Sequence, residues 1–201
     1  MLFLPIIIGY LIGSIPFGFI AGKIKGVDLR KVGSGNIGAT NTFRVLGAKT
    51  AIIVFILDLL KGTLSVYIAS IMIANPPILT KETFIIFAGL AAIAGHMFPV
   101  YLGFKGGKGS ATSLGVLLGI APDLFVIAMI YTILAIAVTK YVSVTSITGV
   151  LLLSVLMFVF HKPMEYTILT LIVAVLVIIR HIPNIKRLIK GTEPKLWGTR
   201  K

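Results

Sequence analysis

ATSLGVLLGIAPDLFVIAMIYTILAIAVT, residues 111–139, is the stretch on which the fold turns. One membrane crossing takes about 17–25 mostly apolar residues, so this run is long for one helix and short for two. Ala121-Pro122-Asp123 punctuates its middle, and proline beside an acid suits a tight turn or the first turn of a new helix. Outward from it, apolar runs near 2–22, 51–73, 83–101, 142–160 and 164–180 are each long enough to cross. Charge arbitrates the ambiguous stretch. If it splits at Pro122 the chain crosses seven times, and 23–50, 101–111, 139–141 and the tail after Arg180 share one side, with sixteen of the nineteen Lys and Arg residues. Lys81 and Lys162 then face outward and Lys61 lies within a span. An unsplit helix sends the basic tail, from Arg180 to Lys201, to the outside, against the positive-inside rule. The expectation is an all-α integral membrane protein of seven transmembrane helices, N-terminus outside and C-terminus cytoplasmic, forming a single domain over 1–201. Helices near 112–120 and 124–138 need tilt or local thinning to cross.

Composition agrees with a membrane solvent. Apolar residues make up 57% of 201 positions and the mean hydropathy is +1.06, more than a soluble globule of this size buries. The formal charge of +13 comes from Lys and Arg gathered between apolar runs, which favours membrane topology and an anionic ligand over nucleic acid. Zero cysteines exclude disulfides, a thiolate nucleophile and cysteine-bound metal. The apolar start at Leu2 lacks a basic leader, and Gly9, Gly13 and Pro16 lie inside it, so it reads as a retained first span.

Three glycine-rich basic stretches interrupt the apolar background: GSGNIGATN at 33–41, GHMFPVYLGFKGGKGSAT at 95–112 and HIPNIKRLIKGTE at 181–193. With seven crossings all three share the cytoplasmic face, and a composite site follows. In the first, glycines permit tight turns that let successive N–H groups converge on an anion; Ser34, Asn36 and Asn41 add donors and Arg44 can fork onto a phosphate. A helix starting near Thr40 points its positive end the same way. The plainer alternative is a packing loop with Arg44 anchored to lipid headgroups. In the second stretch Lys105 and Lys108 stand on a frame that includes Gly106 and Gly107, suited to phosphoryl oxygens or to anchoring at acidic lipids. The order GxxxxGK[ST] of a nucleotide-binding loop is absent. His96 lies near the inner end of an apolar helix, where an imidazole needs a partner and can orient a substrate or loop, move a proton, or serve structure alone.

In the third stretch His181 and Asn184 are three apart and share a helical face, with Arg187 and Lys190 at further intervals of three. Pro183 weakens an uninterrupted helix there. Glu193 suits an Arg or Lys partner better than a metal. The alternative for this stretch is a basic tail on headgroups. Inside the second span Asp58 and Lys61 are three apart, and charges at that depth need each other or a polar cavity. Ser14 and Pro16 are placed to break the first helix. His96, His161 and His181 do not gather on one side, so no metal site is expected. A transporter for phosphorylated solutes is the rival function, but it calls for polar groups near midplane and repeated halves, whereas most candidate ligands gather on one side and no internal repeat is visible.

With these three ordered motifs the chain resembles the bacterial membrane acyl-phosphate:glycerol-3-phosphate acyltransferase family over nearly its full length. The resemblance implies a compact membrane enzyme of the bacterial cytoplasmic (inner) membrane with its active site facing the cytoplasm. It implies transfer of a fatty acyl group from acyl phosphate to the sn-1 hydroxyl of glycerol 3-phosphate, giving lysophosphatidic acid and inorganic phosphate for phospholipid biosynthesis. By position, phosphate-binding roles fall on Ser34, Arg44, Lys105 and Lys108. Conserved polar roles fall on Asn36, Asn41, His96, His181, Asn184 and Glu193, of which His96, His181 and Asn184 are the candidates for catalysis, by positioning or proton transfer. Gly35, Gly106 and Gly107 complete the substrate-binding loops. Ser110 stands where a small apolar residue is common in the family. Partners are acyl phosphate, glycerol 3-phosphate and membrane lipids, with no nucleic acid, no metal or organic cofactor, and function as a monomer. Because phosphate is already a good leaving group, direct attack needs no covalent enzyme intermediate.

Overall fold

The computed structural model describes residues 3–73, 76 and 78–198; Arg200 and Lys201 of the basic tail lie outside them. The described residues form eight α-helices and one 3₁₀ turn, and the chain divides into two compact units, Met1–Ile120 and Ala121–Lys201.

In the first unit, α1 (Leu4–Ser14) and α2 (Phe17–Ile24) make one apolar crossing of 21 residues with a break in it. Pro16 lacks an N–H and forces Ile15 toward extended backbone, φ −61° and ψ 117°. Helix α3 (Ala39–Met72) runs 34 residues, about 51 Å, well beyond the ~30 Å of bilayer hydrocarbon. A kink at Gly47, φ 84°, sets its first two turns apart. Helix α4 (Lys81–Met97) starts on Thr80, whose Oγ1 accepts the Thr83 N–H at 3.1 Å. A 3₁₀ turn (Val100–Leu102) then leads to α5 (Ser110–Ile120). Between lipid-solvated helices there is little hydrophobic drive, so association rests on close backbone packing. A Cβ at Gly13 on α1 would overlap the Ala92 carbonyl of α4, and one at Gly115 on α5 would overlap the Leu59 carbonyl of α3. Phe84, Ile93, Met97 and Val54 fill the interior between these contacts.

The second unit packs α6 (Pro122–Thr139) on α7 (Val142–Val159), and α7 on α8 (Met164–Ile189). Leu124 and Ala128 form the buried face of α6, while Val126, Ile130, Ile133, Leu134 and Val138 are exposed. An apolar exterior of that extent is suited to lipid. Helix α8 continues through Pro183 to Ile189.

The expectation of seven transmembrane helices is corrected to six helices long and apolar enough to cross. The break falls at Ala121-Pro122 as the sequence suggested, but its first product, α5, has 11 residues and is about 16 Å long, half a bilayer. Charge asymmetry argued for an extra crossing, yet charge reports the side of a loop and says nothing about whether eleven residues can reach it. The outside and cytoplasmic assignments of the two termini rested on the odd count and fall with it.

Candidate active site

The first glycine stretch is folded by one amide. Asn41, 1% exposed in the first turn of α3, donates from Nδ2 to the carbonyls of Leu29 (3.1 Å), Val32 (3.1 Å) and Asn36 (2.8 Å), and its Oδ1 accepts the Ser34 N–H at 2.8 Å. Asn36 Oδ1 accepts the Gly38 N–H at 2.8 Å, an Asx turn leading into the helix. Gly33 and Gly35 both hold positive φ, 61° and 70°, which turns the chain tightly enough for Asn41 to reach four backbone groups. Asn36 and Asn41 therefore shape the loop, while Ser34 and Gly35 remain exposed at its tip. Helix α3 begins at Ala39, one residue from the expected start, so its N-terminal amides follow the loop directly. Arg44 is half-buried one turn beyond Asn41 on the same face.

A second arginine nearby is already matched. Arg30 donates from Nε and Nη2 to the two oxygens of Asp28, at 3.0 and 2.8 Å, and lies 4.6 Å over the Phe19 ring. These hydrogen bonds from Arg30 hold the Asp28 carboxyl well below the usual carboxylate range.

The lysine-glycine stretch folds back on the end of α4. The Gly106 N–H donates to the Met97 carbonyl at 3.2 Å and the Gly107 N–H to the His96 carbonyl at 3.0 Å. A Cβ at Gly107 would overlap His96 Nε2, so only glycine lets the loop lie against that ring. Lys105 is exposed and Lys108 half-buried on this frame. Thr112 Oγ1 and Ser113 Oγ, buried in the first turn of α5, have no hydrogen-bond partner among the described residues. His96 itself is 5% exposed, with Lys61 Nζ 2.9 Å from its Nδ1. Lys61 also meets Asp58 at 2.8 Å and the Ile15 carbonyl at 3.0 Å. The pairing of Asp58 with Lys61 was readable from their spacing; the inclusion of His96 and of the helix-break carbonyl was not. Since α3 and α4 are two crossings, the two loops of this unit share one side of the membrane.

In the second unit, Glu193 is 7% exposed and holds three donors. Ser143 Oγ and Asn184 Nδ2 donate to Oε1 at 2.8 and 2.6 Å, and Arg187 Nε to Oε2 at 2.7 Å. Burial alone would raise the Glu193 pKa, but the hydrogen bonds from Asn184, Arg187 and Ser143 outweigh it and hold the carboxyl below its ordinary range. The arginine partner expected for Glu193 is thus present, and Ser143, which sequence reading missed, joins it. One turn before Asn184, His181 is 3% exposed and places Nδ1 2.8 Å from the Val177 carbonyl. A carbonyl only accepts, so Nδ1 carries the proton and, in the neutral ring, Nε2 carries the lone pair. Among the described residues no three His, Asp or Glu side chains converge as a metal would require. The expectation that all three stretches share one face rested on seven crossings and falls with that count.

Residues 3–191 match the family model described as glycerol-3-phosphate acyltransferase. The glycerol-3-phosphate acyltransferase of Bacillus velezensis is 47% identical over 195 residues, covering 96% of each chain. That of Aquifex aeolicus is 42% identical over 188 residues, covering 94% of this chain and 95% of its own. Among solved structures, the glycerol 3-phosphate form of the integral membrane glycerol 3-phosphate acyltransferase PlsY superposes with a TM-score of 0.91 at 40% identity, covering 98% of this chain and 96% of that one. Its lysophosphatidic acid form gives 0.88 at 38% identity with the same coverage. With a family model spanning almost the whole chain and relatives this similar end to end, the chain belongs to the glycerol-3-phosphate acyltransferase family of bacterial membrane enzymes.

Proposed function

We infer that this chain transfers an acyl group from acyl phosphate to glycerol 3-phosphate, forming lysophosphatidic acid and inorganic phosphate, and that the sn-1 hydroxyl is the one acylated. Family membership over residues 3–191 supports the reaction. The observation that carries the assignment of parts is the first loop, where Asn41 spends its amide on backbone, Ser34 stays exposed at the tip and Arg44 stands one turn further along α3. Such a loop followed by a helix N-terminus suits a phosphate.

In this reading Arg44, Lys105 and Lys108 neutralise the charge of the two phosphorylated substrates, with Ser34 as an oriented donor, while Gly35, Gly106 and Gly107 give the two loops their shape. Asn36 and Asn41 keep the first loop in shape. The glycerol hydroxyl attacks the acyl carbonyl carbon, the new ester C–O bond forms, and the bond to the phosphate oxygen breaks. The hydroxyl proton is taken up by a phosphate oxygen of the substrates. The departing phosphate needs no protonation to leave, so no acyl-enzyme stage is required. The loops of the first unit face the cytoplasm, where soluble glycerol 3-phosphate is found. In support, Lys23, Lys25, Arg30, Lys31, Arg44 and Lys49 flank one of them, whereas the 73–81 connection carries only Lys81.

The test is product analysis with purified protein in bilayer discs. Glycerol 3-phosphate with acyl phosphate should yield 1-acyl-glycerol 3-phosphate, while acyl-CoA in its place should yield none. Product from acyl-CoA alone would overturn the donor assignment, and 2-acyl product the regiochemistry.

A further inference from the structure

Lys61 is buried in α3, 3% exposed, away from the exposed loop tips, and the roles assigned above do not use it. Its ammonium forms an ion pair with the Asp58 carboxylate at 2.8 Å, donates to the Ile15 carbonyl at 3.0 Å and stands 2.9 Å from His96 Nδ1. The Ile15 carbonyl belongs to the break between α1 and α2. The far side of the His96 ring lies against Gly107 of the lysine-glycine loop. A single side chain thus joins the broken first crossing to the ring that backs that loop.

An ammonium is a donor with no acceptor capacity. His96 Nδ1 must therefore accept, and the ring hydrogen is displaced to Nε2, toward Gly107. We propose that Lys61 is a positioning residue that fixes His96 as its Nε2–H tautomer and thereby seats the Gly106-Gly107-Lys108 segment for phosphate binding. Asp58 supplies the counter-charge that keeps Lys61 protonated at this depth, and it also stands 3.5 Å from His96 Nδ1. That second distance defines what happens without the lysine. With Lys61 removed, His96 turns its Nδ1–H toward Asp58, the usual histidine–carboxylate pairing. Nε2 then loses its hydrogen, and the loop loses the side of the ring it was built against.

The phosphate role of the loop rests on the acyltransferase reading, whereas the tautomer does not, so the two are measured separately. Enzyme carrying ¹⁵N-histidine, free of substrate in detergent micelles, is examined by NMR, with His161→Gln and His181→Gln used only to assign signals. The expected result for His96 is an unprotonated Nδ1 and a protonated Nε2 in the parent and in Lys61→Arg, and the reverse in Lys61→Met. In kinetics, Lys61→Met should raise KM for the phosphorylated substrates and lower kcat/KM by about 10²-fold, the scale of an ångström-level misplacement, with Lys61→Arg recovering part of it. A merely structural role would instead reduce the active fraction and leave KM unchanged. A protonated Nδ1 on His96 in the parent overturns the proposal even if Lys61→Met cannot be purified. So does a folded Lys61→Met with parental KM and kcat.

Discussion

Asn41→Ala removes three hydrogen bonds' worth of pairing from one loop, because the two Nδ2 hydrogens are shared among three carbonyls and Oδ1 accepts one N–H. Each bond contributes about 1 kcal/mol net, so the loop loses about 3 kcal/mol of local order. At 1.4 kcal/mol per tenfold, the population holding Ser34 in place falls by about 10²-fold. The cost is local, because the three carbonyls and the Ser34 N–H lie in a connection that water can reach once it opens. We therefore expect kcat/KM for both phosphorylated substrates to fall by about 10²-fold, with little change in the thermal midpoint of the detergent-solubilised enzyme. Asn41→Asp is a sharper probe. It keeps the acceptor for Ser34 but turns a charged oxygen toward three carbonyls, and it should be no better than the alanine variant despite its near-identical shape. A folded Asn41→Ala enzyme within about threefold of the parent, well under 1 kcal/mol, would show that the loop keeps its shape without the amide and refute the reasoning.

Arg44→Ala and Lys108→Ala should each lower kcat/KM by about 10–10²-fold through loss of a charge-assisted hydrogen bond of roughly 1.5–3 kcal/mol, with insertion intact; parental rates at subsaturating substrate would reject their phosphate roles. Glu193 has a folded pKa depressed below its unfolded value, so the stability it contributes is present above the ordinary carboxylate range and is lost as pH falls through the folded pKa. Thermal midpoints measured across acid pH should fall less steeply for Glu193→Gln than for the parent, and identical acid limbs would count against the carboxylate cluster. Gly115→Val places atoms into the Leu59 backbone and should cost about 3 kcal/mol or more, read as a lowered thermal midpoint; an unchanged midpoint would mean that α3 and α5 separate freely. Intact-protein mass analysis during rapid turnover should reveal no acylated side chain that forms and decays fast enough to carry the reaction.

The breaks at Pro16 and Pro122 were legible because proline removes a donor and fixes its own geometry regardless of context. The fate of α5 was not. Its apolar composition reads the same for a crossing helix and for one packed on α3, and the deciding quantity is the contact of Gly115 with Leu59. Local spacing also announced the site's local pieces: a helix beginning near Thr40, the Asp58–Lys61 pair, and His181 sharing a face with Asn184. What it missed lies between elements. His96 is 35 residues from Lys61 and Ser143 is 50 from Glu193, and no periodicity links such positions. Asn41 appeared as a donor for substrate, whereas its amide is spent on the backbone that shapes the loop. A signal for Ser143 was available in principle, as a small hydroxyl just after the Lys140-Tyr141 turn.

The placement of Asp58 within one turn of Lys61 matters before the protein is finished. At about 5–20 residues per second, the 35 residues separating Lys61 from His96 take roughly 2–7 seconds to synthesise. Asp58 and Lys61 are therefore in the nascent chain before the third member of their polar cluster is made. A lone ammonium near the middle of a nascent span carries an insertion penalty of about 2.5–3.5 kcal/mol. Because α3 brings its own counter-ion, the segment enters the bilayer as a nearly neutral unit, and His96 arrives as a latecomer to a pair already formed. Transposing Asp58 to α4 could preserve the finished geometry and still strand the charge during birth.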